Sequence, residues 1–167
     1  MNSLTNARPN GVTRSQRALR WVVTFCWAGL IFYFSTKTFT ASYTSVVLAR
    51  LLAALHIHLS LAHFETLHYL VRKSAHFTEY AILSLLLFAS ISGAKEFEWN
   101  LRIAVLSVVI AGLYSLSDEF HQMFVPGRGP SIKDCGLDTT GAVSAMVLLF
   151  LIAGLAKKRA RVAQASL

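Results

Sequence analysis

Charge is scarce in this sequence: Asp, Glu, Lys and Arg make up 14% of its 167 residues, against 54% hydrophobic ones. A chain so apolar is not intrinsically disordered, and its length suits one domain. Acid is scarcer still, with 8 Asp plus Glu against 16 Lys plus Arg and a net charge of +8. A nucleic-acid-binding domain spreads its bases over a folded surface, whereas this surplus sits at the two ends. Residues 1–20 carry Arg8, Arg14, Arg17 and Arg20, residues 157–167 carry Lys157, Lys158, Arg159 and Arg161, and neither segment holds an acid. Those bases equal the whole surplus, so residues 21–156 are neutral and no nucleic-acid partner is expected. Cysteine is nearly absent. Cys26 and Cys135 fall at different depths of the helices drawn below, which argues against a disulfide, and no CxxC or clustered Cys and His set suggests structural zinc. The GxSxG, HExxH and P-loop patterns are missing as well.

What the chain does have is four uncharged apolar stretches, Trp21–Thr36, Tyr80–Ser92, Ile103–Ser117 and Thr139–Ala156. With their flanks, each approaches the ~20 residues that span a bilayer. The second lengthens if its helix starts near Ala75. The first is long for the apolar core of a secretory signal, and no small-residue cleavage site follows it, so it reads as an anchor. The expected fold is an all-α, polytopic membrane helical bundle of four transmembrane helices. Basic tails at 1–20 and 157–167 flank a membrane domain at 21–156. An even number of spans puts both termini on one side, and their bases make that side cytoplasmic. The short loop from Gly93 to Arg102 then lies inside, and the longer loops Lys37–Ser74 and Glu119–Gly136 lie outside.

The first outer loop is not plainly hydrophilic. Val46, Val47, Leu48, Leu51, Leu52 and Leu55 recur at near-helical spacing, and Leu59, Leu61, Phe64, Leu67, Leu70 and Val71 do so again. This predicts one or two short amphipathic helices on the outer leaflet or over the bundle. His56, His58, His63 and His68 fall here without an HxxxH pair, so interfacial or packing roles outweigh metal ligation.

Ionisable residues within membrane segments are costly, which makes their positions informative. Arg72, His76 and Glu79 follow i, i+4, i+7 spacing and share one helix face. Asp118, Glu119 and Gln122 cluster at the outer end of the third span. Asp134, Asp138 and Gly141 repeat the i, i+4, i+7 pattern on the fourth, with Ala145 completing a small-xxx-small pair. Between these spans VPGRGPS, residues 125–131, turns back on two Pro and two Gly and restrains Arg128. The three faces are expected to converge in an outward-facing polar pocket. There Arg72, Lys73, Arg128 and Lys133 meet Glu79, Asp118, Glu119, Asp134 and Asp138.

Three functions suit such a pocket. In the leading one Arg72, Arg128 and Lys73 grip an anionic headgroup, Arg offering bidentate geometry to phosphate, with Gln122, Asp134 and Asp138 completing the ligand-binding set. In the second, Glu79, Asp118 or Glu119 acts as base or ligates a divalent cation, with His76 assisting, as in a membrane-embedded hydrolase or phosphotransferase. In the third the charges only fix helix packing or a protein partner. Desolvation can cancel the Coulomb gain of so many buried charges, which counts against that last reading.

The runs RKSAHFTEYAIL (72–83) and SDEFHQMFVPGRGPSIKDCGLDTTGA (117–142) resemble the VanZ-like family of small bacterial membrane proteins. That family's pattern has an RK, AHF and EY block opening one helix. A DE with a Gln three residues on, a PGR loop, and paired Asp positions ahead of a Gly follow. The W and FYFS of the first span are similar too. The resemblance implies a bacterial membrane protein, expected in the inner membrane, and a family link to glycopeptide (teicoplanin) resistance, but little about chemistry; a partner among membrane lipids or envelope glycolipids is the expectation the polar pocket raises. Its motif positions here are Arg72, Lys73, His76, Glu79, Asp118, Glu119, Gln122, Arg128, Asp134, Asp138 and Gly141. The long His-bearing outer loop departs from the family pattern, so the motifs alone do not carry resistance over to this chain.

Overall fold

The computed structural model describes residues 12–36, 41–93, 98–124 and 131–165. Five helices are present: α1 (Arg14–Ser35), α2 (Ala41–Ala54), α3 (Leu61–Ser92), α4 (Leu101–Gln122) and α5 (Ile132–Ala165). Among the described residues, α1, α3, α4 and α5 are long and apolar enough to cross a membrane. At 1.5 Å per residue, α1 and α4 are about 33 Å long, close to the ~30 Å hydrocarbon core. Helix α3, with 32 residues, and α5, with 34, exceed it.

Local chemistry sets the boundaries. Thr13 and Gln16 form a capping box at the start of α1, and Ser60 and Asn100 cap α3 and α4 through their side chains. Helix α2 ends in a Schellman motif, with His56 N–H donating to the Ala53 carbonyl and Ile57 N–H to that of Leu52, while His56 adopts φ 55°. Gly93, at φ 60°, closes α3 in the same left-handed conformation.

The four predicted spans are all present, with different limits. The second begins at Leu61, because neither Gly nor Pro interrupts residues 61–92. The outer-loop segment therefore supplies one separate short helix, α2, while the apolar set from Leu61 to Val71 is the first part of α3. Likewise the C-terminal basic segment continues α5 as helix as far as Ala165, and Arg14, Arg17 and Arg20 lie on α1. Both cysteines are free, Cys26 exposed and Cys135 buried.

Packing follows membrane logic. Large apolar side chains such as Phe25, Leu113 and Leu151 point outward, whereas the buried set includes Ser84, Ser90, Ser107, Ser115, Ala104, Ala111 and Ala142. Lipid offers no hydrophobic gain for burying Leu between helices, so small residues and interhelical hydrogen bonds hold the bundle. At Gly141 of α5 an added Cβ would overlap the carbonyl oxygen of Phe77 on α3. Ser84 donates to the Ala142 carbonyl at 3.2 Å along the same seam. Tyr114 ties α4 to α1 through the Ala28 carbonyl at 2.7 Å, and Trp27 ties α1 to α3 through that of Glu79 at 3.0 Å. Towards the end where α1 begins, Arg20 donates to the Ala89 carbonyl, and Trp99 stacks on Phe88 and meets Phe150 at a tilt. The helices thus alternate in direction, and the polar ends of α3, α4 and α5 meet at the end away from the basic segments.

Candidate functional site

The i, i+4, i+7 face of α3 lines a cleft of about 240 Å³. Arg72, Ala75, His76 and Glu79 form one wall, Ile31, Phe34 and Ser35 at the end of α1 the other, and Thr44 of α2 closes it. Arg72 and Lys73 are adjacent in sequence, but successive residues on a helix point about 100° apart, and the two part company. Lys73 forms an ion pair with Asp134 of α5 and lies over the Tyr69 ring. Arg72 faces the cleft and has no ion-pair partner among the described residues. Ser35 lines the same cleft, is 2% exposed, and among the described residues its Oγ makes no hydrogen bond. Buried hydroxyls are ordinarily satisfied, so an orphaned one beside an unpaired guanidinium marks a place where a polar ligand fits.

His76 stands between this cleft and the interior. Its Nδ1 is 3.8 Å from Glu79 Oε2 and 3.9 Å from Asp138 Oδ1, which is ion-pair spacing and longer than a hydrogen bond. Asp138, 2% exposed, accepts a 2.7 Å hydrogen bond from Ser115 on Oδ2, while its Oδ1 accepts none. Tyr80, fully buried, brings its hydroxyl near Asp118, Asp138 and Ser115. On α4 the buried Asp118 accepts from Gln122 Nε2 at 2.8 Å, leaving Oδ1 unbonded. Glu119 reaches the start of α5, accepting from the Ser131 backbone N–H at 2.6 Å. A carboxylate there satisfies an N–H just ahead of the helix and complements the dipole.

The expected single pocket is therefore divided. Arg72, His76 and Glu79 share the cleft, and Asp138 meets them through His76. Lys73 and Asp134 flank it as an interhelical pair, Asp118 and Gln122 pair with each other inside α4, and Glu119 anchors α5. Arg128 and the rest of its turn lie outside the described residues. Among the described residues no group of three or more His, Cys, Asp or Glu side chains is gathered closely enough to hold a metal ion. Of the histidines expected in the outer loop, His63 and His68 lie on α3: His63 Nδ1 bonds locally to Ser60 Oγ at 2.7 Å, and His68 Nε2 ties α3 to α2 through Thr44 Oγ1 at 2.8 Å.

Sequence reasoning passed over Ser35, Thr44, Ser115 and Tyr80. Ser115 precedes Asp118 by one helical turn and Tyr80 follows Glu79 in the EY pair, so helical spacing offered a signal for both. Ser35 and Thr44 join the site only through tertiary packing of α1 and α2.

Four long apolar helices, small residues at their seams and ionisable side chains gathered at one end define a multi-pass integral membrane protein. The chain belongs to the VanZ/LLP1 family, whose model matches residues 20–153 and so takes in every motif position from Arg72 to Gly141. No curated relative and no solved structure matches it.

Proposed function

We propose that this protein binds the anionic headgroup of an envelope lipid or glycolipid in the cleft headed by Arg72, with that end of the bundle facing outward across the bacterial inner membrane. The observation that carries the reading is one cleft lined by the Arg72 guanidinium, with no ion-pair partner among the described residues, and by the Ser35 hydroxyl, with no hydrogen bond among them. A guanidinium at the membrane boundary is stable only with water or an anion beside it, and its fork suits phosphate or carboxylate. Arg128, in the sequence segment that joins α4 to α5, is the natural second cation. Lys73 with Asp134, as an ion pair, and Asp138 with Ser115 fix the helices around the site, while Gln122 braces Asp118 within α4. The outward orientation rests on the bases of both terminal segments, which favour the cytoplasm.

The direct test is lipid mass spectrometry of the gently purified protein. Wild type is expected to carry an anionic lipid that Arg72→Gln and Arg128→Ala lose. Equal lipid content in all three overturns the proposal. A reporter fused within residues 125–130 that reads as cytoplasmic reverses the orientation. Glycopeptide susceptibility of cells with and without the gene tests whether the resistance link of the family extends to this member.

A second reading draws on His76, whose Nδ1 lies within 4 Å of two carboxylates, one of them bonded to Ser115. A histidine so flanked is a competent general base, and the protein would then hydrolyse or transfer a group on the bound headgroup. Turnover of native lipid that disappears in a folded His76→Gln variant separates catalysis from binding.

A further inference from the structure

A second cavity adjoins the cleft. It is a groove of about 360 Å³ between α1 and α3, walled by Trp27 and Phe34 on one side and Val71, Ala75, Thr78 and Ile82 on the other. Phe34, Ala75 and Glu79 line both cavities, so the two are continuous. On α3 the groove extends from Val71 to Ile82, about 16 Å along the helix axis. It runs alongside the cleft, sharing Glu79 with it, and continues about one helical turn deeper, to Ile82 and Trp27.

From this continuity we infer that cleft and groove form one site for a phosphate ester carrying a hydrocarbon chain. The phosphate sits at Arg72 with Ser35 Oγ as a hydrogen-bonding partner, and the chain descends between α1 and α3. This rests on the headgroup reading above and deepens it, naming a phosphate ester as the headgroup and giving the hydrocarbon chain its place. Three features support it. The cation lies at the polar mouth and the apolar walls lie below it, which is the order of polarity along a phospholipid. Ser35, with its unbonded hydroxyl, is two-hundredths exposed and lines the cleft on the same helix end as Phe34, which both cavities share. The groove is also open along the membrane face, with Val71, Ala75 and Thr78 exposed, so a chain can enter sideways without leaving the bilayer.

Physical chemistry assigns the two cavities different tasks. A chain in the groove gains no hydrophobic free energy over the same chain among lipid tails, because both surroundings are apolar. Affinity therefore comes from the headgroup, through charge-assisted hydrogen bonds to the guanidinium. The groove contributes shape: it lets a chain lie directly beneath a phosphate seated at Arg72. Filling it forces the chain aside and lifts the phosphate from its partners. A free phosphate has no chain to displace and is indifferent to the groove.

The experiment uses native mass spectrometry of the full chain with palmitoyl-oleoyl-phosphatidylglycerol as the lipid probe, and thermal shift with glycerol 1-phosphate as the chainless probe. Thr78→Trp and, independently, Val71→Trp fill the groove from its exposed side, and Arg72→Gln removes the cation. Wild type is expected to retain one phosphatidylglycerol through detergent washing. The groove variants should weaken that retention at least about tenfold, equivalent to about 1.4 kcal/mol, and keep the wild-type response to glycerol 1-phosphate. Arg72→Gln should lose both. If both groove variants melt like wild type and retain phosphatidylglycerol fully, the groove inference is overturned while headgroup binding stands. If Arg72→Gln retains the lipid as wild type does, the headgroup reading falls and the groove inference with it. Loss of both probes in two well-folded groove variants also overturns the inference, because it makes the groove a packing element of the cleft.

Discussion

Gly141 of α5 lies against the backbone of Phe77 on α3, so near that a Cβ on Gly141 would overlap the Phe77 carbonyl oxygen and sit 3.0 Å from its carbonyl carbon. Phe77 follows His76 directly, and Asp138 is one helical turn before Gly141. The contact therefore sets the distance between the Arg72–His76–Glu79 face and the acids of α5. Because the obstacle is backbone, the two helices have to separate to admit even a methyl group.

Gly141→Ala should destabilise the protein by about 1–3 kcal/mol, the range for overpacking a tight contact. Gly136, on the same helix with open space around its Cβ position, is the control. There alanine removes the backbone entropy penalty of glycine and should be neutral or stabilising by up to about 1 kcal/mol. Thermal melts of both variants in one detergent measure the contrast. Equal melting temperatures would show that the α3–α5 seam yields more readily than its geometry indicates.

Adjacent bases should separate just as cleanly. Lys73 is paired with Asp134 between helices, whereas Arg72 faces the cleft. The pair is about a quarter exposed on each side, so Lys73→Met should cost only about 1 kcal/mol. Adding Asp134→Leu should recover most of that by removing the stranded carboxylate. Arg72→Gln should change stability little and lipid content greatly. A melt and a lipid assay on the same four preparations give the answer, and loss of lipid on Lys73→Met at full stability would place Lys73 in the cleft as well.

Ser115 is the described hydrogen-bond donor to Asp138, at 2.7 Å in a fully buried setting. Ser115→Ala leaves both carboxylate oxygens of a 2% exposed residue without a hydrogen bond. The expected loss is about 1–3 kcal/mol, larger than for an exposed serine. The double variant with Asp138→Leu should be more stable than Ser115→Ala alone, because it removes the unsatisfied acceptor together with its donor. A double-mutant cycle by chemical denaturation or melting measures the coupling.

How much of this was legible in the sequence differs from element to element. The four spans were, because uncharged apolar stretches have few alternative uses, and the i, i+4 spacing of Arg72 with His76 correctly placed them on one face. The length of α3 was not. Hydropathy fades between Leu61 and Val71 while helical continuity does not, and only the absence of a breaker in that segment marked it. The divided site was hidden for a different reason. Spacing along one helix says which residues share a face, but pairing across helices decides that Lys73 is occupied by Asp134 and Glu119 by Ser131. Ser35 closes the FYFS run of the first span, but its type could not assign it to the site, since a serine at a helix end is commonplace. Its place in the cleft with Arg72 comes from how α1 packs on α3.

That serine supplies the sharpest separation of a binding site from a packing motif. A buried hydroxyl without a hydrogen bond lowers stability by about 1–3 kcal/mol relative to an apolar group of the same size. Ser35→Ala should therefore raise the melting temperature of the delipidated protein. If the hydroxyl meets a ligand, the same substitution should reduce the amount of anionic lipid that co-purifies and shrink the stabilisation gained on adding lipid back. Opposite signs for the stability of the delipidated protein and for lipid retention are the mark of a residue kept for binding at the expense of stability. A variant that melts higher and retains lipid unchanged would instead leave Arg72 as the cleft's principal contact and remove Ser35 from the site.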